Sequence, residues 1–420
     1  MSVTDERHRS LLRLAFDRSV GGIFWGKVFT TTGMWMHSVI AAVVVFDATG
    51  SALMVGIVTS AQFVPQLLLS PWAGALADRG HGVRQVMIGR VLCLVASTAL
   101  AVAATLGALG GPYATALLFF ASLLLGTGFA VGGAPMHAMV ATMVQPAELP
   151  AAMALNSAPM TVARITGPIA GAFIIGPFGA AVAFVVAAAC HVVFYVLLRW
   201  VIVFPSMEPT PAGTRADRRL RVDRGVFALL LAVAVAVAVA EPSLVLAPAL
   251  SREFGLGVDG VAAMSLAFGI GAAAGLGVAP PVMRRYGEWL PVPGGLLLLG
   301  ASCLVVGLVS DWSTVLIALG VGGIGFSLVV SAATTLVQRL VPDGIRGRVM
   351  AWWMISFVGA RPLGAAIFGV SSDLTWVGGG FAASAAVAIA VAAALALSIG
   401  RRARIWQTDA NDAAMRKETT

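Results

Sequence analysis

Apolar runs of membrane-crossing length follow one another from end to end of this chain, and they constrain its fold more than any other feature. Crossing the hydrocarbon of a bilayer takes about 20 residues of helix. Twelve such runs fall at about 20–46, 51–77, 86–108, 113–141, 151–176, 179–203, 225–250, 259–283, 290–309, 313–338, 347–371 and 376–400. Only 11% of the residues are charged, against about 25% in soluble domains, so most of this surface cannot face water. In lipid, only helices and closed barrels satisfy their own backbone. Residues 232–240 alternate alanine and valine, a strand-like period, but they lie within a run of span length without polar alternation. Helix is expected there as well, and the whole is expected to be an all-α membrane protein.

The net charge is +8. A basic chain can signal nucleic-acid binding. Here the basic residues stand in short clusters between the runs, so the lipid bilayer is the expected partner and nucleic acid is not. Arg7, Arg9, Arg13 and Arg18 precede the first run, and Arg79 and Arg84 follow the second. Five arginines from Arg215 to Arg224 follow the sixth, and Arg284, Arg285, Arg339, Arg346 and Arg348 lie in later loops of the same parity. The alternate loops hold Asp47, Glu253, Asp259, Asp311 and Asp373, with Arg252 as their one basic residue. Basic loops stay on the cytoplasmic side. The expectation is a multi-pass protein of a bacterial inner membrane with both termini cytoplasmic. The polar stretch Met1–Arg18 lacks a small-residue cleavage site, so no cleaved signal peptide is expected. Cys93, Cys190 and Cys303 sit in apolar runs without metal-ligand spacing, so neither a disulfide framework nor a metal site is expected.

The two halves of the chain repeat in parallel. Met153-Ala154 through Ala163-Arg164 and Gly167 recurs as Met350-Ala351 through Ala360-Arg361 and Gly364, at a constant offset of 197. The longest polar stretch separates the two copies. The expected organisation is therefore residues 1–204, a cytoplasmic linker at 205–223, and residues 224–420. Parallel repeats of six helices are a transporter pattern.

The turn after the second run reads Gly74-Ala75-Leu76-Ala77-Asp78-Arg79, then Arg84. An acid beside a base at a tight turn can cap a neighbouring helix in one conformation only, and so bias a two-state equilibrium. This Gly-x-Leu-x-Asp-Arg element resembles the loop signature of the major facilitator superfamily. Gln62-Phe63-Val64-Pro65, Ala154-Leu155-Asn156-Ser157 and the stretch Val341–Met350 are similar to the branch with enterobactin exporters and macrolide efflux proteins. The resemblance covers about residues 20–400 and implies twelve transmembrane helices in two pseudo-symmetric six-helix halves. It departs at Gly80-His81-Gly82-Val83, where basic residues usually continue, at the acid-free loop 280–285, and at His137, where the branch often has arginine. Gly167-Pro168-x-x-Gly171 in span 5 is similar to an element of antiporter-type exporters. The resemblance implies that Gly74, Asp78, Arg79, Arg84, Gly167, Pro168 and Gly171 gate the carrier. A packing kink, with Pro168 removing a backbone donor and the glycines admitting a neighbour, is the plainer reading of the span 5 element.

Charges inside spans are costly and call for a reason. Four are recognised: Lys27, Arg164, Glu241 and Arg361, summing to +2. Asn156, Met160 and Arg164 share a helical face, as do Lys27, Thr31 and Met34, so these six and Arg361 are expected to line a substrate cavity. Glu241, next to Pro242, is the expected proton-coupling group. Hydrogen bonding at the interface between halves is the competing reading for each arginine, and a permanent ion pair is the competing reading for Glu241. His37 and His191 are expected to be packing residues. The glycine runs at Gly126, Gly271–Gly275 and Gly320–Gly325 lie in apolar helices, which favours helix packing over a nucleotide loop. No nucleotide loop, nucleophile elbow or carboxylate pair appears, so neither a cofactor nor enzymatic chemistry is expected.

The reading is a monomeric secondary transporter exporting a small organic molecule through alternating access and proton antiport, with the charge sum favouring an anionic cargo. An importer of the same architecture, or a membrane scaffold or enzyme, is the alternative.

Overall fold

Twelve apolar spans joined by short loops leave the backbone one option in lipid, and the computed structural model is helical throughout, with no strand among the described residues. It describes residues 11–111, 113–145, 148–201, 224–341 and 343–418. The helices are α1 (Leu11–Ala15), α2 (Val20–Thr49), α3 (Ala52–Ala61), α4 (Val64–Leu76), α5 (Gly82–Thr105), α6 (Ala114–Thr142), α7 (Leu149–Val196) and α8 (Arg224–Ala240). They continue as α9 (Pro242–Val245), α10 (Ala247–Glu253), α11 (Gly257–Tyr286), α12 (Pro291–Leu308), α13 (Trp312–Leu340), α14 (Asp343–Leu374) and α15 (Val377–Glu418). The linker expected at 205–223 and both chain ends lie outside the described residues. The alternating Ala–Val stretch is part of α8, as span length required.

Among the described residues, eleven helical stretches are long and apolar enough to cross a membrane. One of them, Ala158–Trp200, has 43 residues, or about 65 Å of helix at 1.5 Å per residue, twice the ~30 Å hydrocarbon core. It cannot be a single span. The chain breaks at Gly179, with φ 76° and ψ 172°, a conformation open to glycine and almost nothing else. Counting the two limbs of α7 separately gives twelve spans, with the fifth and sixth divided where the sequence placed the boundary.

The halves meet along two pairs of spans: α3 and α4 pack on α14, and α7 packs on α11. These are spans 2 with 11 and 5 with 8, and a six-span shift exchanges one pair for the other. Glycine sets the separation of α11 and α13. A Cβ at Gly271 would lie 1.8 Å from the Gly320 carbonyl oxygen, and one at Gly323 2.2 Å from that of Phe268. Helices without a hydrophobic drive to associate in lipid gain from such close backbone approach. At one end of the bundle Arg252 pairs with Asp47 across the halves. Beside them, the Asp373 carboxylate accepts from Ser51 Oγ and from the amides of Ala52 and Leu53.

Candidate functional site: a guanidinium pair at the interface of the halves

The two repeat-related arginines reach across to each other's half. Arg164, on α7, lays its guanidinium over Phe326 at 4.0 Å and Phe268 at 5.5 Å. Arg361, on α14, lies over Trp35 at 5.0 Å and Phe63 at 5.2 Å. A guanidinium is weakly hydrated and stacks on aromatic faces, so it tolerates such a place where an ammonium would not. Proline and glycine shape the surroundings. Pro168 lacks the N–H that would bond the carbonyl of Arg164 one turn before it. A Cβ at Gly167 would lie 2.4 Å from Trp35 Cβ, and one at Gly171 3.2 Å from Met36 Cα. The Gly-Pro-x-x-Gly element thus presses α7 onto α2 beside the ring that carries Arg361.

The environments of the arginines then diverge. α8 ends at Ala240 and α9 restarts at Pro242, leaving Glu241 at the break, where the proline interrupts the ladder. The Glu241 carboxylate accepts from Arg361 Nη1 at 2.5 Å, with the side chains 3% and 2% exposed. An ion pair this dry persists only because each charge would be far costlier alone. Arg164 makes no ion pair among the described residues, and its buried Nη1 has no hydrogen-bond partner. Nε and Nη2 of Arg361 are likewise unpartnered. Two cavities flank Arg164. One, of about 40 Å³, is bounded by Trp35, Arg164, Glu241, Ser243, Phe268 and Arg361. The other, of about 90 Å³, is bounded by Met160, Arg164, Phe268, Phe326, Phe357 and Arg361 among others. Such a pocket, mostly apolar with several aromatic faces and unsatisfied guanidinium donors, can hold an anion with an apolar body.

Of the seven residues expected to line a cavity, Met160, Arg164 and Arg361 do so. Lys27, Thr31, Met34 and Asn156 line neither of these cavities. All four are buried, and Lys27 is held where α2 packs on α7, its Nζ donating to the Asn156 carbonyl at 2.8 Å and to the Asn156 Oδ1 at 2.6 Å. Sharing a helical face does not choose which neighbour that face meets.

Among the described residues, the four charges recognised inside spans are joined by a buried one that the sequence reading passed over. Arg90, on α5, is fully buried. It donates to Thr30 Oγ1 at 2.6 Å and the Gly128 carbonyl at 3.2 Å, and it stacks on Phe129 at 4.4 Å. Thr30 also bonds His191 Nδ1 at 2.7 Å. The signal for Arg90 is its place inside the third apolar run, but it stands near that run's basic edge, where a buried arginine and a loop arginine look alike in sequence. His37 bonds Ser122 at 3.2 Å and His191 faces Phe129, so both histidines sit in packed seams of the N-terminal half. The turn at Ala77–His81 is a π-helical turn between α4 and α5, with Arg79 and Arg84 exposed around it. The side chains of Asp78 and His137 lie outside the described residues.

Two six-span halves packed through spans 2–11 and 5–8, with a charged aromatic pocket between them, define a membrane transporter of the major facilitator superfamily. A family model described as transmembrane secretion effector matches residues 16–419, and the chain belongs to that family. None of the curated proteins matches the chain in sequence. Among solved structures it is similar to a peptide transporter, with 14% identity, a TM-score of 0.74, and coverage of 91% of this chain and 94% of the other. It is also similar to a bacterial homologue of the iron transporter ferroportin in an inward-facing state, at 19% identity and TM-score 0.68, covering 92% and 99%. The nucleoside transporter NupG aligns at 12% identity and TM-score 0.68, covering 90% and 99%. At these identities the likeness is one of fold.

Proposed function

We propose that the chain exports a small anionic organic molecule by alternating access, with the cargo seated between the halves at Arg164. The unpartnered, aromatic-stacked guanidinium of Arg164 carries this reading. A buried donor left unsatisfied is destabilising, and a cargo carboxylate would satisfy it. Outward transport is supported by the secretion description of the family and by the Gly167-Pro168-x-x-Gly171 element. Gating by Gly74, Asp78, Arg79 and Arg84, in the turn beside the α4–α14 contact, belongs to the same reading, as do cytoplasmic termini and a location in the inner membrane. Coupling to protons would run through Glu241, the one acid among the described residues that line the site.

In proteoliposomes loaded with small carboxylates, Arg164→Gln should abolish counterflow at normal membrane abundance. Wild-type rates in that variant would remove Arg164 from the binding site and the anion with it.

A further inference from the structure

The charges around the cavity do not balance. Among the described residues that line it, Arg164 and Arg361 face a single carboxylate, Glu241, which gives a formal +1. The other described residues lining that cavity, among them Trp35 from α2, Ser243 from α9, and Ser265 and Phe268 from α11, do not titrate near neutral pH. Lys27 and Arg90 lie deeper in the N-terminal half with partners of their own. Net charge in a low-dielectric pocket is costly, and a group that can exchange a proton does so to reduce it.

Building on the anionic reading above, we infer that Glu241 sets the charge of the cargo. With Glu241 ionised on Arg361, the pocket is completed by one negative charge on Arg164, so the resting site selects a small monocarboxylate. A dicarboxylate brings one charge too many. It is accommodated when Glu241 takes a proton from water, leaves Arg361, and yields that guanidinium to the second carboxylate. The unpartnered Nε and Nη2 of Arg361 are the donors available to it. In both cases the loaded site is neutral, and the proton travels with the cargo's second charge. Antiport would instead require a protonated, cargo-free site, with two buried guanidiniums and no anion, which is the costliest arrangement of these three groups. For a dianionic cargo, the site therefore favours movement together with a proton over exchange against one; a monoanion moves with no proton, and outward transport of either would draw on the cargo's own gradient.

Butanoate and succinate test this, since they share a four-carbon chain and differ by one carboxylate. Their binding to the full chain in nanodiscs would be measured calorimetrically at pH 7, in buffers of different ionisation enthalpy. Wild type should prefer butanoate by about tenfold or more, the scale of one unmatched charge a few ångströms away. Succinate should bind with uptake of a proton and butanoate without. Glu241→Gln, which raises the site to +2, should invert the preference. Glu241→Gln with Arg361→Gln returns it to +1 and should restore the preference for butanoate, which also separates the charge effect from damage caused by breaking the pair. An unchanged preference in both variants, while Arg164→Gln still loses butanoate, would overturn charge matching and leave the anionic reading standing. No butanoate binding to folded wild type would overturn both.

Discussion

Asp373, at the end of α14, accepts the backbone amides of Ala52 at 2.9 Å and Leu53 at 3.1 Å, and so caps a helix that belongs to the other half of the protein. A carboxylate at a helix N-terminus meets both free N–H groups and the positive end of the helix dipole. Ser51 bonds the same carboxylate and also caps α3 through the amide of Met54. The contact holds the two halves together at this end only while that end is closed. Asp373→Ala should therefore shift the carrier toward opening there. Loss of a cap costs ~1 kcal/mol, or about a fivefold change in population. The rate at which an impermeant maleimide labels a cysteine introduced at Leu53 should rise by that order. An unchanged rate would mean that the Arg252–Asp47 pair and helix packing close this end alone.

Arg90 is a structural cation. It joins α5 to α2 through Thr30 and to α6 through Gly128, with no carboxylate among these contacts. A lysine carries the charge but not the fork that reaches both acceptors. Arg90→Lys and Arg90→Met should both lower the thermal unfolding temperature of the detergent-solubilised protein. Thr30→Val, which removes one charge-assisted bond, should cost about 1.5–3 kcal/mol. If Arg90→Lys unfolds like wild type but fails to transport, the residue belongs to the mechanism and not to the scaffold.

The α11–α13 seam tolerates no side chain at Gly271, whereas a Cβ at Gly277, further along α11, would meet nothing within 4 Å. Gly271→Ala should destabilise by about 1–3 kcal/mol, the range for overpacking, and Gly277→Ala should be neutral or slightly stabilising, since alanine is the better helix former. Thermal unfolding of the two variants side by side gives the answer. Equal behaviour would mean that the seam relaxes at little cost.

Much of the fold was legible in the sequence because lipid removes alternatives. Run length gave the spans, including a boundary between the fifth and sixth at 176–179, where the chain breaks at Gly179. The 197-residue repeat by itself places Arg164 and Arg361 in equivalent positions. Reading Pro242 as a break in the helix also matched the structure, since α8 stops one residue before Glu241. These features are local or periodic, and local chemistry determines them.

Which polar groups meet was decided by tertiary packing. The sequence put Lys27 on a face with Thr31 and Met34 but did not say that the face would turn to Asn156 and away from the cavity. It left the partner of any ion pair at Glu241 open, and only the packing of α14 on the α8–α9 break brought Arg361 to it. Arg164 and Arg361 are equivalent by repeat, yet one is neutralised and the other is not, because the one carboxylate among the described residues that line the pocket, Glu241, pairs with Arg361. Periodicity fixes a side chain's direction about its own helix axis. Its partner depends on how helices far apart in sequence are rotated and spaced, which the glycine contacts and proline breaks settle only once all twelve spans are assembled.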